Sequence, residues 1–388
     1  MNTEKTSENL TAQETENGCV LRLLETGRQA FPEILHQIRS ARREILLHMF
    51  IWREDSIGTE IAEALLEAAD RGVSIVIEKD RYGLLLEYAE ESQRSLCHSP
   101  DPWERVQIKA LCLACNRELF GNRLVTERSE LYRKLKEHPN VTIEDGRNTA
   151  DHAKYYIFDR QIMILGGINI EDKEYSRDFQ GRVYFDYMVR ICDSKIVSQF
   201  LAKRESPQMK SDFFRANMKE PVRCFELKES FLELIHEAQR ELTIIMAYFA
   251  PDREVLSAVC RALDRGVSVK ILIPGSANFM QASNMRSISR LLAHKADGKL
   301  SVFLTDYMVH AKLLMNEKHI LTGSCNITQK SFNKLGELCI RADNGDTPFA
   351  REVHASVEDL FRNHAHAIRR DEIRINPLMA AAEAIFMR

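Results

Sequence analysis

The chain has 388 residues and a formal net charge of −3, with 44% hydrophobic and 29% charged residues. That length holds two domains of ordinary size, and the balance is that of a globular protein rather than a fibrous or disordered chain. The charge excludes the global basic excess of a dedicated nucleic-acid binder. Nine cysteines, odd in number and irregularly spaced, predict reduced thiols in a cytoplasmic compartment.

In chain order, residues 1–18 are polar and read as a disordered tail, with neither a signal peptide nor a membrane span. The longest apolar runs, around 45–52 and 242–250, fall far short of the roughly 20 residues a spanning helix needs and read as buried strands. A helix is predicted near 30–43, then the strand Ile45-Leu46-Leu47-His48-Met49-Phe50. A second helix over 59–70 runs into Asp70-Arg71-Gly72-Val73-Ser74-Ile75-Val76-Ile77. The same order returns later: a helix near 228–240, a strand over 242–248, a helix over 254–264, then Asp264-Arg265-Gly266-Val267-Ser268. The glycine of each Asp-Arg-Gly-Val-Ser suits a helix C-terminal cap before a strand. Further on, a helix near 127–136 and a strand over 141–144 match a helix near 281–294 and a strand over 300–304.

Helices alternating with continuous β-rich runs predict an α/β fold, mostly parallel strands with helices on both faces. The repeat is a duplication of one half: residues 19–205 and then 206–388. The first half carries an insertion over about 80–125. Its apolar residues (Leu84, Leu85, Leu86, Tyr88, Trp103, Ile108, Leu111, Leu113, Leu119 and Phe120) suggest amphipathic helices. They form either an extra packed subdomain or a lid or membrane-facing cap that admits acyl chains. Cys112 and Cys115 are a lone Cys-x-x-Cys, too little for a zinc site, and read as helix-packing residues. A short apolar helix after Pro377, too short to span a membrane, covers core or touches a membrane interface.

The chemistry lies in two matching stretches. The first is Asp151-His152-Ala153-Lys154-Tyr155-Tyr156-Ile157-Phe158-Asp159, followed by Gly166-Gly167-Ile168-Asn169. The second is His310-Ala311-Lys312-Leu313-Leu314-Met315-Asn316-Glu317, followed by Gly323-Ser324-Cys325-Asn326. Each reads His, Lys two residues on, an acid seven residues after the His, then a small-small-x-Asn turn. The intervening residues favour a strand, on which positions i and i+2 project together. An imidazole beside an ammonium suits a phosphate, which the Lys can bind while the His attacks phosphorus or protonates a leaving oxygen.

At these residues the chain resembles the phospholipase D superfamily, with Glu317 where that family usually has Asp. Gly166-Gly167-Ile168-Asn169-Ile170 and the following Glu171-Asp172-Lys173-Glu174-Tyr175 look most like bacterial cardiolipin synthases. The resemblance implies two similar halves packed about a pseudo-twofold axis, each a mostly parallel sheet flanked by helices, with both His-Lys pairs in one cleft. It implies His152 as nucleophile and His310 as acid, with Lys154, Lys312, Asn169 and Asn326 on the phosphoryl oxygens. Gly167 and Ser324 stand in the turns beside them. Asp159 and Glu317 complete the motifs as structural partners, and Asp186 and Glu337 are the downstream acids that fix the imidazoles. The implied reaction is phosphatidyl transfer through a phosphohistidine, making cardiolipin or a related phospholipid from phosphatidylglycerol-type substrates. Water as acceptor would make it a phospholipase D instead, and a nuclease of the superfamily is the other alternative. No cofactor or metal is expected. The expected partners are a phospholipid and the inner membrane face, approached peripherally from the cytoplasm, with no nucleic acid.

Overall fold

The computed structural model describes residues 20–89, 94–114, 127–146, 149–175, 183–294 and 298–386. The tail expected at 1–18, Cys115, Leu119 and Phe120 lie outside the described residues. Two sheets form the middle of the molecule. The first has seven strands, in the spatial order Val20–Glu25, Tyr187–Cys192, Ile162–Gly166, Tyr155–Phe158, Glu44–Met49, Ser74–Lys79, Val141–Glu144. The second has nine, in the order Ala365–Ala367, Leu300–Thr305, Ser268–Pro274, Glu241–Met246, Lys312–Asn316, His319–Gly323, Glu337–Asp343, Phe214–Met218, Cys224–Phe225.

The α/β class holds, but the strand directions are mixed rather than mostly parallel. Glu44–Met49, Ser74–Lys79 and Val141–Glu144 run parallel, as do Glu241–Met246, Ser268–Pro274 and Leu300–Thr305. Those are the segments joined by helices. The strand after each His-Lys pair instead turns back in a tight hairpin, to Ile162–Gly166 or to His319–Gly323, and a hairpin can only pair antiparallel.

Three helices cover the outer face of each sheet, while on the inner side Ser194–Glu205 and Pro348–Asn363 pack beside the sheet-to-sheet contact. Thr26–Ser40, Ser56–Asp70 and Glu130–Glu137 pack on the first sheet, where Phe31, Ile61 and Leu135 meet Ile45, Ile75, Tyr156 and Phe158. Leu227–Glu237, Arg253–Asp264 and Gln281–Leu292 pack on the second, against Ile244, Ile271 and Leu314. The opposite faces meet each other: Tyr155, Ile157 and Leu165 of the first sheet share a core with Ile245, Leu313 and Leu338 of the second. Alternate residues of one strand thus face helix and sheet, so the strands read as continuous apolar runs. Truncating Ile157 or Leu313 to Ala in this shared core would cost about 2–5 kcal/mol.

Gly72 and Gly266 hold φ of +92° and +87° after their helices, which is the reason for glycine in both Asp-Arg-Gly-Val-Ser repeats. The insertion supplies helices Leu84–Ala89 and Pro102–Ala114, which enclose a small core of Leu84, Tyr88, Ile108, Leu111 and Cys112. The last helix, Pro377–Phe386, touches both Gln281–Leu292 and Pro102–Ala114. No helix among the described residues is long and apolar enough to cross a membrane.

Candidate active site

Each His-Lys strand runs antiparallel to the central strand of its sheet, so its first residues lie beside that strand's C-terminal end. Tyr155 pairs with His48, and Lys312 with Met246. This is the edge where open α/β sheets place ligand sites. The two histidines lie just before their strands, where each segment makes a backbone bridge to the other half. The His152 N–H donates to the Gly336 carbonyl at 2.7 Å, and the His310 N–H donates to the Phe185 carbonyl at 2.6 Å.

Those carbonyl residues immediately precede the two downstream acids, and the bridges therefore cross the acids between halves. Nδ1 of His152 is 3.0 Å from Oε2 of Glu337, and Nδ1 of His310 is 2.8 Å from Oδ2 of Asp186. Each imidazole of one half is oriented by a carboxylate of the other. With Nδ1–H held by Glu337, Nε2 of His152 carries a free lone pair; Nδ1 of His310 also lies 2.9 Å from Lys312 Nζ, which can donate to it and leave the ring proton on Nε2. Both rings line one cleft together with Asn169 and Asn326. The asparagines are fixed alike: Oδ1 of Asn169 accepts from the Ile51 N–H and Oδ1 of Asn326 from the Tyr248 N–H, both at 3.3 Å.

The acids differ in how the space beside them is filled. Gly167 packs so closely on Asp186 that a Cβ there would lie 2.2 Å from Oδ2. Its counterpart Ser324 does carry a side chain, and its hydroxyl donates to Oε2 of Glu337 at 2.5 Å. The lysines differ as well. Each lysine donates to the carbonyl of its own histidine, but Lys312 Nζ also stands 3.2 Å from Asp186 Oδ2 and 2.9 Å from Nδ1 of His310.

Asp159 and Glu317, the acids that close the two motifs, do not line the cleft. Asp159 accepts from the backbone N–H groups of Arg42, Arg43 and Glu44 at 3.0, 2.8 and 3.0 Å. Glu317 does the same for Gln239, Arg240 and Glu241 at 2.9, 3.4 and 3.5 Å. Both pin a helix-to-strand junction to the far end of the His-Lys strand, so their reach to the chemistry is through the backbone.

Burial, and then the neighbouring lysine, push both imidazoles toward the neutral form, His310 down to about 3. Burial lowers the Lys154 ammonium to about 7. Burial also opposes ionisation of Asp186, but Lys312 and the His310 hydrogen bond outweigh it and hold that carboxyl below its ordinary value. A phosphodiester anion entering the cleft would draw protons onto these groups.

Three features escaped the sequence. Glu174 is fully buried, 3.8 Å from Nδ1 of His310, in a stretch legible only as a family resemblance. Lys173 and Lys330, each four residues past its motif Asn, also line the cleft, and that matched spacing was visible in the repeat. The crossing of the acids has no linear signal. Glu174, Asp186 and His310 place ligand atoms within 4.8 Å of one another, the geometry a metal ion would use. The Lys312 ammonium already stands against the same Asp186 oxygen, so this set is a carboxyl cluster balanced by a lysine.

A family model described as the phospholipase D-like domain of cardiolipin synthase matches residues 34–206 and 231–364. The chain belongs to this family. Each matched segment carries one His-Lys pair. Cardiolipin synthase B of Escherichia coli K12 is 26% identical over 348 residues, covering 81% of this chain and 74% of that protein. Cardiolipin synthase A of Pseudomonas syringae is 26% identical over 358 residues, covering 86% and 67%. Among solved structures, phosphatidylserine synthase of Haemophilus influenzae has a TM-score of 0.68 at 13% identity, covering 94% of this chain and 92% of that one. That likeness shows that the family member described here shares its fold.

Proposed function

We propose that the protein moves a phosphatidyl group from a phosphatidylglycerol-type donor to a glycerol-type alcohol, making cardiolipin or a related phospholipid. The observation that carries this reading is the pair of histidines on one cleft, each oriented by an acid of the opposite half. Nε2 of His152 attacks phosphorus, the P–O bond to the donor alcohol breaks, and His310 gives that oxygen a proton. The acceptor hydroxyl then loses its proton to His310 as its oxygen forms the new P–O bond and the P–N bond to His152 breaks. Lys154, Lys312, Asn169 and Asn326 balance the phosphoryl oxygens in both steps.

The cleft walls favour lipid over nucleic acid. Phe50, Leu86, Phe279, Met280 and Leu335 line it, an apolar surface suited to acyl and glycerol groups. Trp103, Val106 and Leu378 stand 68%, 53% and 82% exposed on the two touching helices Pro102–Ala114 and Pro377–Phe386. This is a surface for reversible docking on the inner membrane face. The names of the curated relatives support the same reaction class.

Purified protein with labelled phosphatidylglycerol in liposomes tests the reading. Cardiolipin-like product in excess of phosphatidic acid is expected. Phosphatidic acid alone under every acceptor condition would make the protein a hydrolase, and DNA cleavage without lipid turnover would make it a nuclease.

A further inference from the structure

The two histidines are held by matched geometry but have unequal surroundings. His152 faces one carboxyl, Glu337, whose Oε2 also accepts from Ser324. His310 faces two. Asp186 is 2.8 Å from its Nδ1 and Glu174 Oε1 is 3.8 Å from the same nitrogen. Glu174 has no exposed surface, and neither of its carboxyl oxygens has a hydrogen-bond partner among the described residues. A buried carboxyl left this way is costly and calls for a reason. The corresponding position of the second half, five residues past Asn326, is Ser331. The extra acid therefore belongs to one histidine alone.

The charged groups around it define its state. Asp186 and Glu171 repel a negative charge there, while Lys173 and Lys312 favour one less strongly. Burial acts in the same sense as the two acids, and the Glu174 carboxyl is held well above its ordinary range as the neutral acid. His310 is faced in addition by Lys312, whose Nζ is 2.9 Å from its Nδ1, by the rings of Tyr184 and Tyr248 at 5.8 and 6.0 Å, and more distantly by Lys154. The His310 side of the cleft thus holds a buried protonated carboxyl whose counterpart in the other half is Ser331.

We propose that Glu174 is a positioning residue that shares this proton with His310 and so makes His310 the acid of the pair. The inference rests on the two-histidine reading above. Before the step the neutral His310 ring carries its proton on Nε2, with Nδ1 accepting from Lys312 Nζ at 2.9 Å. When the phosphodiester anion binds, the Glu174 proton moves to Nδ1, leaving a carboxylate beside an imidazolium. His310 then gives its Nε2 proton to the departing alkoxide as the P–O bond breaks and the P–N bond to His152 forms. In the second step the acceptor hydroxyl returns a proton to His310, and the imidazolium passes one back to Glu174. No proton is gained or lost over the cycle. His152 has no such store and remains the neutral nucleophile.

Glu174→Gln tests this, because it keeps the shape and removes the proton. Two substrates are compared: phosphatidylglycerol, whose alkoxide must be protonated, and bis(4-nitrophenyl) phosphate, whose nitrophenolate leaves without help. Lipid turnover should fall on the order of 10²-fold, the usual worth of general acid catalysis, while the initial nitrophenolate burst stays within about threefold of wild type. The basic limb of the lipid pH profile should move to lower pH, since an imidazole without the acid holds its proton less firmly. Glu174→Asp should move that limb back. Equal losses on both substrates with the limb unmoved would show a purely structural role and overturn the proposal. A wild-type protein that turns over neither substrate would overturn the two-histidine reading, and the proposal with it.

Discussion

Gly167→Ala should disable the site through a single methyl group. A Cβ at residue 167 would stand 2.2 Å from Oδ2 and 2.5 Å from Oδ1 of Asp186, and real Cβ contacts stay beyond 3.0 Å. The carboxylate must retreat by about 1 Å, a displacement that at a catalytic group costs on the order of 10²-fold. An independent route gives the same size. The retreat breaks the 2.8 Å bond to His310. A charge-assisted bond of that kind is worth about 1.5–3 kcal/mol, which is roughly 10- to 150-fold in rate. The measurement is kcat/KM for lipid transfer, with circular dichroism and a melting curve to show that the fold persists. The second half already solves the same packing problem with Ser324 beside the longer Glu337. Gly167→Ser combined with Asp186→Glu copies that solution and should recover part of what Gly167→Ser alone loses. A folded Gly167→Ala protein with wild-type kcat/KM would refute the reasoning.

Four further outcomes are expected. His152→Ala and His310→Ala should each lower turnover by at least about 10³-fold, and the double variant should be no worse than either, because the rings act as one unit; additive losses in transfer assays would contradict a shared site. Rapid denaturation of the His310→Ala protein during turnover of bis(4-nitrophenyl) phosphate should trap an acid-labile 4-nitrophenyl-phosphoryl group on His152 alone, read by mass spectrometry. Asp159→Ala should lower stability by about 1–2 kcal/mol, since three backbone N–H groups lose their acceptor. These amides hold the Asp159 carboxyl below its ordinary value, so its contribution is present above that value and is lost as pH falls through the lowered one; melting curves at neutral and acid pH should converge. Glu174→Gln should behave oppositely. The folded protein keeps the Glu174 proton that the unfolded chain releases, so that residue's contribution falls as pH rises from the ordinary Glu range toward its raised folded value. The variant should therefore melt higher than wild type at neutral pH, with the gain vanishing by about pH 4.

The linear sequence determined the two His-Lys pairs and the duplication. His152, Lys154, His310 and Lys312 sit in strand patterns whose period of two and apolar run are local properties, and Asp-Arg-Gly-Val-Ser twice reports a backbone turn that glycine alone makes without strain. The same patterns misdirected the architecture. Ile157 and Leu313 look buried on both faces whether helix or sheet covers them, because periodicity reports burial and not the burying partner. Hairpins after Phe158 and Asn316, not helical crossovers, then set the strand directions. The acids show the same limit at the site. Asp186 and Glu337 each follow the His of their own half, and chain spacing allows pairing within or between halves. Only the packed sheets, with Gly336 bridged to His152 and Phe185 to His310, decide that each acid crosses. Glu174 belongs to the same class: a glutamate in a polar stretch reads as solvated, and only tertiary burial beside Asp186 and His310 makes it a neutral acid.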